Sequence, residues 1–176
     1  MTGEFSRRSF LKYTALTAVA VAGSSLLTGC GRYSAMQYHV GTSNTVLKVV
    51  STLERVEYDA ATNTTTFKLV VTNGPDTLLS LNALKVTAEN FAVTADGYLA
   101  AEGQNLRVTS PDALNLQVKE GETRTFYVYA KGLNALEKEE VTLTFYPRPG
   151  GLSDFNANWM LTKDVLKQEI STPSRT

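Results

Sequence analysis

The sequence predicts an all-β fold, a sandwich or barrel of roughly seven or eight short strands. Three observations indicate it: apolar and polar residues alternate, β-branched and aromatic residues dominate the alternating runs, and turn residues separate those runs. No long helical period interrupts them. With 176 residues, the chain has the length of one domain with a leader and can bury a core.

The alternation is clearest in residues 126–130 and 141–145, where Phe, Val, Leu and Ala take every second position. A two-residue period places alternate side chains on opposite sides of a strand, so each run has one apolar face. The same rhythm occurs in residues 67–71, 84–88, 114–118 and 155–161.

Turn residues lie between these runs, since Gly supplies positive φ, Pro presets the turn, and Asn or Asp bonds to nearby backbone. The turn signals are Asn73-Gly74-Pro75-Asp76, Asp96-Gly97, Ser110-Pro111-Asp112 and Glu120-Gly121. Residues 162–170 are the candidate for a short C-terminal helix, in which Val165, Leu166 and Ile170 share a face.

The first thirty residues have the composition of a signal peptide. A polar start carries Arg7-Arg8, a mild apolar run covers residues 13–27, and small residues precede Cys30. The apolar run is interrupted by Thr, Gly and Ser, whereas a transmembrane helix needs about 20 mostly apolar residues.

Two motifs in this leader resemble known export signals. The first resembles the twin-arginine export motif and consists of Ser6, Arg7, Arg8, Phe10, Leu11 and Lys12. The second resembles a bacterial lipobox and consists of Leu27, Thr28, Gly29 and Cys30. The resemblance implies export across the cytoplasmic membrane and lipidation of Cys30, which becomes the new N-terminus. We therefore expect a protein anchored by lipid on the extracytoplasmic face of a bacterial membrane.

These observations divide the chain into four predicted segments. Residues 31–45 are small and polar and lack a strong period, which is typical of a flexible spacer. The predicted segments are a signal peptide (1–29), a lipid-anchored spacer (30–45), a β-sandwich (46–147) and a C-terminal extension after a Pro-Arg-Pro-Gly-Gly run (148–176).

Two stretches of the predicted sandwich resemble immunoglobulin-like domains of uncharacterised bacterial lipoproteins. They are residues 69–76, followed by Leu81, and residues 116–123, followed by Phe126. The resemblance implies an immunoglobulin-like antiparallel β-sandwich, although the paired core cysteines of antibody domains are missing. Because those relatives share no activity, it bears on fold and location alone.

Composition excludes several functions. The 17 basic residues balance 17 acidic ones, so nothing indicates nucleic-acid binding. One cysteine cannot form an internal disulfide, and the one histidine, His39, cannot form a histidine-based triad or a multi-histidine metal site within one chain.

Other candidate chemistry lacks the necessary spacing. Copper ligation would use His39, Met36 and Met160. Carboxylate chemistry or calcium binding would use Glu137, Glu139 and Glu140, or Asp96 and Asp112. Neither set has motif spacing, and the sequence has no phosphate-binding glycine loop and no nucleophile elbow. We therefore predict no catalytic residue, no metal and no cofactor, and a protein that is not an enzyme.

The candidate interaction surface is aromatic. If Phe126 and Val128 face the core, Tyr127 and Tyr129 face outward, and a hairpin would add Thr142, Thr144 and Tyr146 from the next strand. Tyr is enriched in the cores of interfaces. The alternative interpretation is that Tyr and Thr are simply good strand formers on a half-exposed sheet.

The resulting hypothesis is a lipid-anchored binding or accessory module that serves an envelope protein partner. Two alternatives remain at this stage. A glycan-binding or small-ligand-binding lipoprotein would need a concave aromatic pocket, and a hydrolase would need clustered carboxylates.

Overall fold

The computed structural model describes residues 34–74, 83–102, 105–112, 114–149 and 154–170. Those residues form twelve strands, a C-terminal helix and two short 3-10 helices, Ala88–Asn90 and Ala135–Glu137. The strands are β1 (Ser34–Gln37), β2 (Ser43–Val46), β3 (Val49–Asp59), β4 (Thr64–Asn73), β5 (Ala83–Lys85), β6 (Phe91–Ala95), β7 (Tyr98–Glu102), β8 (Leu106–Thr109), β9 (Gln117–Lys119), β10 (Thr123–Lys131), β11 (Glu140–Phe145) and β12 (Asn156–Thr162). The helix α1 covers Lys163–Ile170.

Ten of the strands form two five-stranded sheets. The first sheet has the order β1-β12-β11-β6-β7, and the second has the order β2-β3-β4-β10-β8. The small β5–β9 pair is separate. Neighbouring strands are antiparallel except β1 and β12, which run parallel with Ser34 opposite Asn156.

The inner faces of both sheets form one hydrophobic cluster. The second sheet contributes Phe67 and Phe126, and the first contributes Phe145 and Trp159, all with no exposed surface. The predicted all-β sandwich with a short C-terminal helix is therefore confirmed. The strand count exceeds seven or eight partly because β1, β2 and β8 have four residues each, too few to show alternation clearly.

The predicted spacer is not a separate segment in the structure. β1 and the first three residues of β2 lie within residues 30–45, and the two strands are edge strands of the first and second sheets. The carbonyl of Thr42, between them, accepts a hydrogen bond from Trp159 Nε1 at 3.1 Å. Backbone hydrogen bonds hold these two strands. Their small polar side chains give no clear apolar alternation, so the sequence does not indicate them.

The predicted C-terminal extension is likewise part of the sandwich. β12 lies between β1 and β11 in the first sheet, and the fully buried Leu166 of α1 belongs to the core. The Pro- and Gly-rich run after residue 146 is a connection between two paired strands, β11 and β12. Turn residues mark such connections as readily as they mark domain boundaries.

The sandwich has two distinct ends. At one, the β1 end, Ser34 begins β1 beside Asn156. The Val46–Val49 turn lies level with this pair, because Asn44, two positions above Val46, donates from Nδ2 to the carbonyl of Asn158, two positions above Asn156 (3.1 Å). At the other, the far end, lie the β3–β4 turn, the Asp96-Gly97 turn and residues 132–138.

The predicted signal peptide and Cys30 lie outside the described residues, so they stay predictions. Within the described ranges, no helix is long and apolar enough to cross a membrane.

Candidate functional site

The structure divides the predicted interaction surface between the two sheets. Tyr127 and Tyr129 belong to β10, which pairs with β4 and β8 in the second sheet. Thr142 and Thr144 belong to β11, which pairs with β12 and β6 in the first sheet. The predicted β10–β11 hairpin is therefore wrong, because the chain crosses from one sheet to the other through the 3-10 helix Ala135–Glu137.

Tyr127 and Tyr129 do face outward. Phe126, which precedes Tyr127, and Val128, which lies between the two tyrosines, are fully buried. Both rings are half-buried, and their centroids are 6.4 Å apart in a stacked arrangement. The register places Lys68 and Thr109 on either side of Tyr127, and Thr66 and Arg107 on either side of Tyr129. We call these six residues the Tyr face.

Arg107 was not predicted from the sequence, and it completes this surface. Its guanidinium carbon lies 5.8 Å from the centroid of the Tyr129 ring, within range of a cation–π interaction. Thr109 Oγ1 approaches the Tyr129 hydroxyl at 3.5 Å. These contacts restrict the Tyr129 ring on an exposed sheet, which reduces the rotamer entropy that binding would cost.

Two ion pairs border the Tyr face on the side of β3. Lys68 Nζ lies 2.8 Å from Glu54 Oε2, and Arg55 Nη1 lies 2.8 Å from Glu57 Oε1. The hydrogen bond that Lys68 donates to Glu54 raises the pKa of Lys68, and the one that Arg55 donates to Glu57 raises the pKa of Arg55. Exposed pairs of this kind contribute about 0–1 kcal/mol to folding. The fold therefore gains little stability from these two pairs.

Thr142 and Thr144 lie on the outward side of the first sheet, where the Thr144 hydroxyl has a structural role. Each is only 9% exposed. Thr144 Oγ1 donates to Asn158 Oδ1 at 2.8 Å, and Asn158 Nδ2 donates to Ser34 Oγ at 2.7 Å. This network joins β11, β12 and β1, so the threonine hydroxyl is already used. The alternation of Asn156 and Asn158 with Ala157 and Trp159 was the sequence signal for it.

Tyr146 is also apart from the Tyr face. It follows β11 and is half-buried, and its backbone N–H donates to the carbonyl of Asn90 at 2.7 Å. Burial, with a smaller contribution from Glu102, raises the pKa of the Tyr146 hydroxyl. Asn90 Nδ2 donates to the Tyr146 carbonyl at 2.8 Å, so this region holds β6 against β11.

Two shallow, open depressions lie at the far end. One has a volume of about 430 Å³ and includes Tyr58, Asn63 and Asn134 in its lining. The other, of about 390 Å³, includes Tyr98 and Leu99. Both share Gly132 and Lys138, so they adjoin each other.

Asp96, at the border of the second depression, is fixed by backbone hydrogen bonds. Its φ of +52° and the +79° of Gly97 fit the tight turn between β6 and β7. Asp96 Oδ1 accepts from the backbone N–H of Glu139 at 2.8 Å and of Glu140 at 3.2 Å. The pKa of the Asp96 carboxyl is lowered, and the main cause is the hydrogen bond from the Glu140 backbone N–H. This carboxylate therefore holds the start of β11.

We expect Asp96 to contribute to the loss of stability in acid. Because folding lowers the pKa of Asp96, its contribution is complete above the usual Asp value of about 3.9 and is lost as pH falls through the lower, folded value. Asp96→Asn should therefore flatten the decline of unfolding free energy between about pH 4 and pH 2. Urea titrations at several pH values and a carboxyl NMR titration check this. A titration midpoint at or above the usual value would contradict it.

The structure also locates the candidate copper ligands and the candidate carboxylates. Among the residues that the structure describes, no three His, Cys, Asp or Glu side chains are grouped to hold a metal ion. Glu139 is paired with Lys163. Met36 and Met160 lie on the outward sides of β1 and β12, and His39 lies in the turn that follows β1.

Comparison with known proteins identifies no family. No family model and no curated protein matches the sequence. Among solved structures, the chain is similar to MPT63, a secreted protein from Mycobacterium tuberculosis, with 12% sequence identity and a TM-score of 0.47. The match covers 72% of this chain and 97% of MPT63.

Proposed function

We propose that the protein is a lipid-anchored, extracytoplasmic binding module that uses the Tyr face to dock an envelope protein. The observation that carries the proposal is the stacked Tyr127–Tyr129 pair with Arg107 against it, on the outward face of the second sheet. Tyr and Arg are the residues most enriched, with Trp, among those that dominate binding energy at interfaces.

The geometry of the Tyr face suits a protein partner. Its two rings are rigid, amphipathic and half-exposed, so a partner gains apolar contact without ordering long side chains. The bordering charges of Glu54, Arg55 and Glu57 form a polar rim around this aromatic centre. Rim charges mainly fix orientation and accelerate association, while the centre supplies affinity.

The anchor is inferred from the leader motifs. An acyl chain contributes about 0.8 kcal/mol per buried methylene, and stable anchoring needs more than one chain or a second signal. Cys30, as a lipidated N-terminus, would supply several chains. The protein then acts as a binding module confined to the membrane surface, where a modest affinity of the Tyr face suffices because both partners share that surface.

The glycan-binding alternative would use the far end. There the depressions combine tyrosine rings with the amides of Asn63 and Asn134. Both are open, whereas a small-ligand site usually encloses most of its ligand. This alternative predicts saturable glycan binding that is sensitive to Tyr58→Ala and insensitive to changes in the Tyr face.

We expect the double variant Tyr127→Ala/Tyr129→Ala to reduce partner recovery at least about 10-fold, as loss of two central aromatic anchors does at other interfaces. The measurement is cross-linking in intact cells followed by mass spectrometry of the captured proteins. Tyr98→Ala is the matched control, because Tyr98 is 80% exposed on β7 and lies outside the Tyr face. Cys30→Ala controls for the anchor and should also reduce recovery.

Thermal unfolding should show that the double variant keeps a melting temperature within a few degrees of the parent. Equal recovery of the same partner by the double variant and the parent would overturn the docking role. If no protein is captured from any variant, the interaction-module proposal fails and glycan binding becomes the leading alternative.

A further inference from the structure

The start of β1 sets the length of the tether. Ser34 is paired with Asn156 in the first sheet, so three residues, Gly31 to Tyr33, separate Cys30 from the sandwich. Four peptide steps of at most about 3.6 Å span at most about 14 Å. A lipidated Cys30 would therefore keep the first residue of β1 within that distance of the bilayer surface.

The sandwich is much longer than this tether. β3 starts at Val49, level with Ser34 at the β1 end, and runs for 11 residues to Asp59 at the far end. At about 3.3 Å per residue, the strand spans about 33 Å. Turning the far end toward the bilayer would lift Ser34 beyond the reach of the tether, so that orientation is excluded for the anchored protein.

Leu114 is an apolar contact point at the same end. Its side chain is fully exposed, with a relative accessibility of 106%. Asp112, two residues before it, is held against the first half of β10, because Asp112 Oδ2 accepts from the Thr125 backbone N–H at 2.9 Å and the Asp112 carbonyl accepts from Arg124 Nη1 at 2.6 Å. β10 begins at Thr123 at the β1 end, beside the last residues of β4.

We propose that the anchored protein stands with its β1 end on the lipid bilayer and with Leu114 in contact with the headgroup region. The inference rests on the lipid anchor of the proposed function, and its occupant is the same bilayer that holds Cys30. A large apolar side chain exposed at the tethered end loses contact with water when it enters the interface. The far-end depressions then face away from the membrane.

This orientation also limits how far from the membrane a partner can bind the Tyr face. Tyr127 and Tyr129 lie four and six residues along β10 from Thr123, hence about 13 and 20 Å from the β1 end. The Tyr face then stands roughly perpendicular to the bilayer. A partner that docks on it must present its own surface about 13–20 Å from the β1 end.

The test compares two labelling sites in the natively lipidated protein. A thiol-reactive fluorophore is attached to Leu114→Cys or, as the matched far-end control, to Ala61→Cys, which lies in the exposed β3–β4 turn. Acylation of Cys30 leaves the introduced thiol as the reactive one. Each protein is reconstituted into phosphatidylcholine vesicles that contain lipids with a nitroxide close to the headgroup. We expect quenching at residue 114 to exceed that at residue 61 at least threefold.

A further measurement, combined with the quenching result, separates the orientation from the anchor. Intact mass of the mature protein reports lipidation of Cys30, and an unmodified mass would overturn the anchor together with this orientation. A lipidated protein that shows equal quenching at both sites, or none at residue 114, would overturn the orientation and leave the proposed binding function standing.

Discussion

Trp159→Ala is expected to lower the free energy of unfolding by about 3–5 kcal/mol, the cost typical of deleting a large buried aromatic side chain. Trp159 is the largest fully buried side chain and lies on β12 between β1 and β11. Its indole N–H also donates to the carbonyl of Thr42, so the substitution removes both core volume and a bond to the β1–β2 turn. Against a typical total stability of about 5–15 kcal/mol, this loss is large.

Urea unfolding followed by circular dichroism measures this loss. The matched control is Met160→Ala on the same strand, because Met160 points outward and should cost about 1 kcal/mol or less. Trp159→Phe separates the two effects, since it keeps most of the volume and removes the hydrogen bond. A loss below about 1.5 kcal/mol for Trp159→Ala would contradict the central position of β12 in the core.

Thr65→Val is expected to cost about 1–3 kcal/mol although it preserves the shape of the side chain. Thr65 is fully buried, and its hydroxyl donates to the carbonyl of Leu133 at 2.7 Å and accepts from the backbone N–H of Ala135 at 3.3 Å. Valine would leave both backbone groups buried without a partner, which is costly in a low-dielectric interior.

The control for this variant is Thr66→Val, one position along β4, where the side chain faces outward on the Tyr face. That change should alter stability by about 0.5 kcal/mol or less. The same urea titration compares the two variants. Equal effects would mean that the Thr65 hydroxyl does not hold the connection between β10 and β11 in place.

The sequence predicted strands better than it predicted their pairing. The alternation in residues 126–130 and 141–145 correctly indicated β10 and β11, because a period of two is a local property. Their assignment to different sheets depends on the short 3-10 helix at Ala135–Glu137, capped by Asn134 Oδ1, which accepts the Leu136 N–H. Nothing in the alternation of either strand encodes that crossing.

Part of the candidate site was predictable for the same reason. The outward direction of Tyr127 and Tyr129 followed from the apolar residues beside them. The approach of Arg107 did not, because it depends on the pairing of β8 with β10 about 20 residues further along the chain. The structural use of Thr144 depends similarly on Asn158 of β12.

The parallel pairing of β1 with β12 has a consequence for the order of folding. Ser34 and Asn156 are separated by 122 positions, so β1 can pair in the first sheet only after β12 has been synthesised. Such non-local pairing slows folding, because a long loop must close before its contacts form. The strand next to the predicted leader, β1, therefore takes its place in the first sheet only when β12 is available.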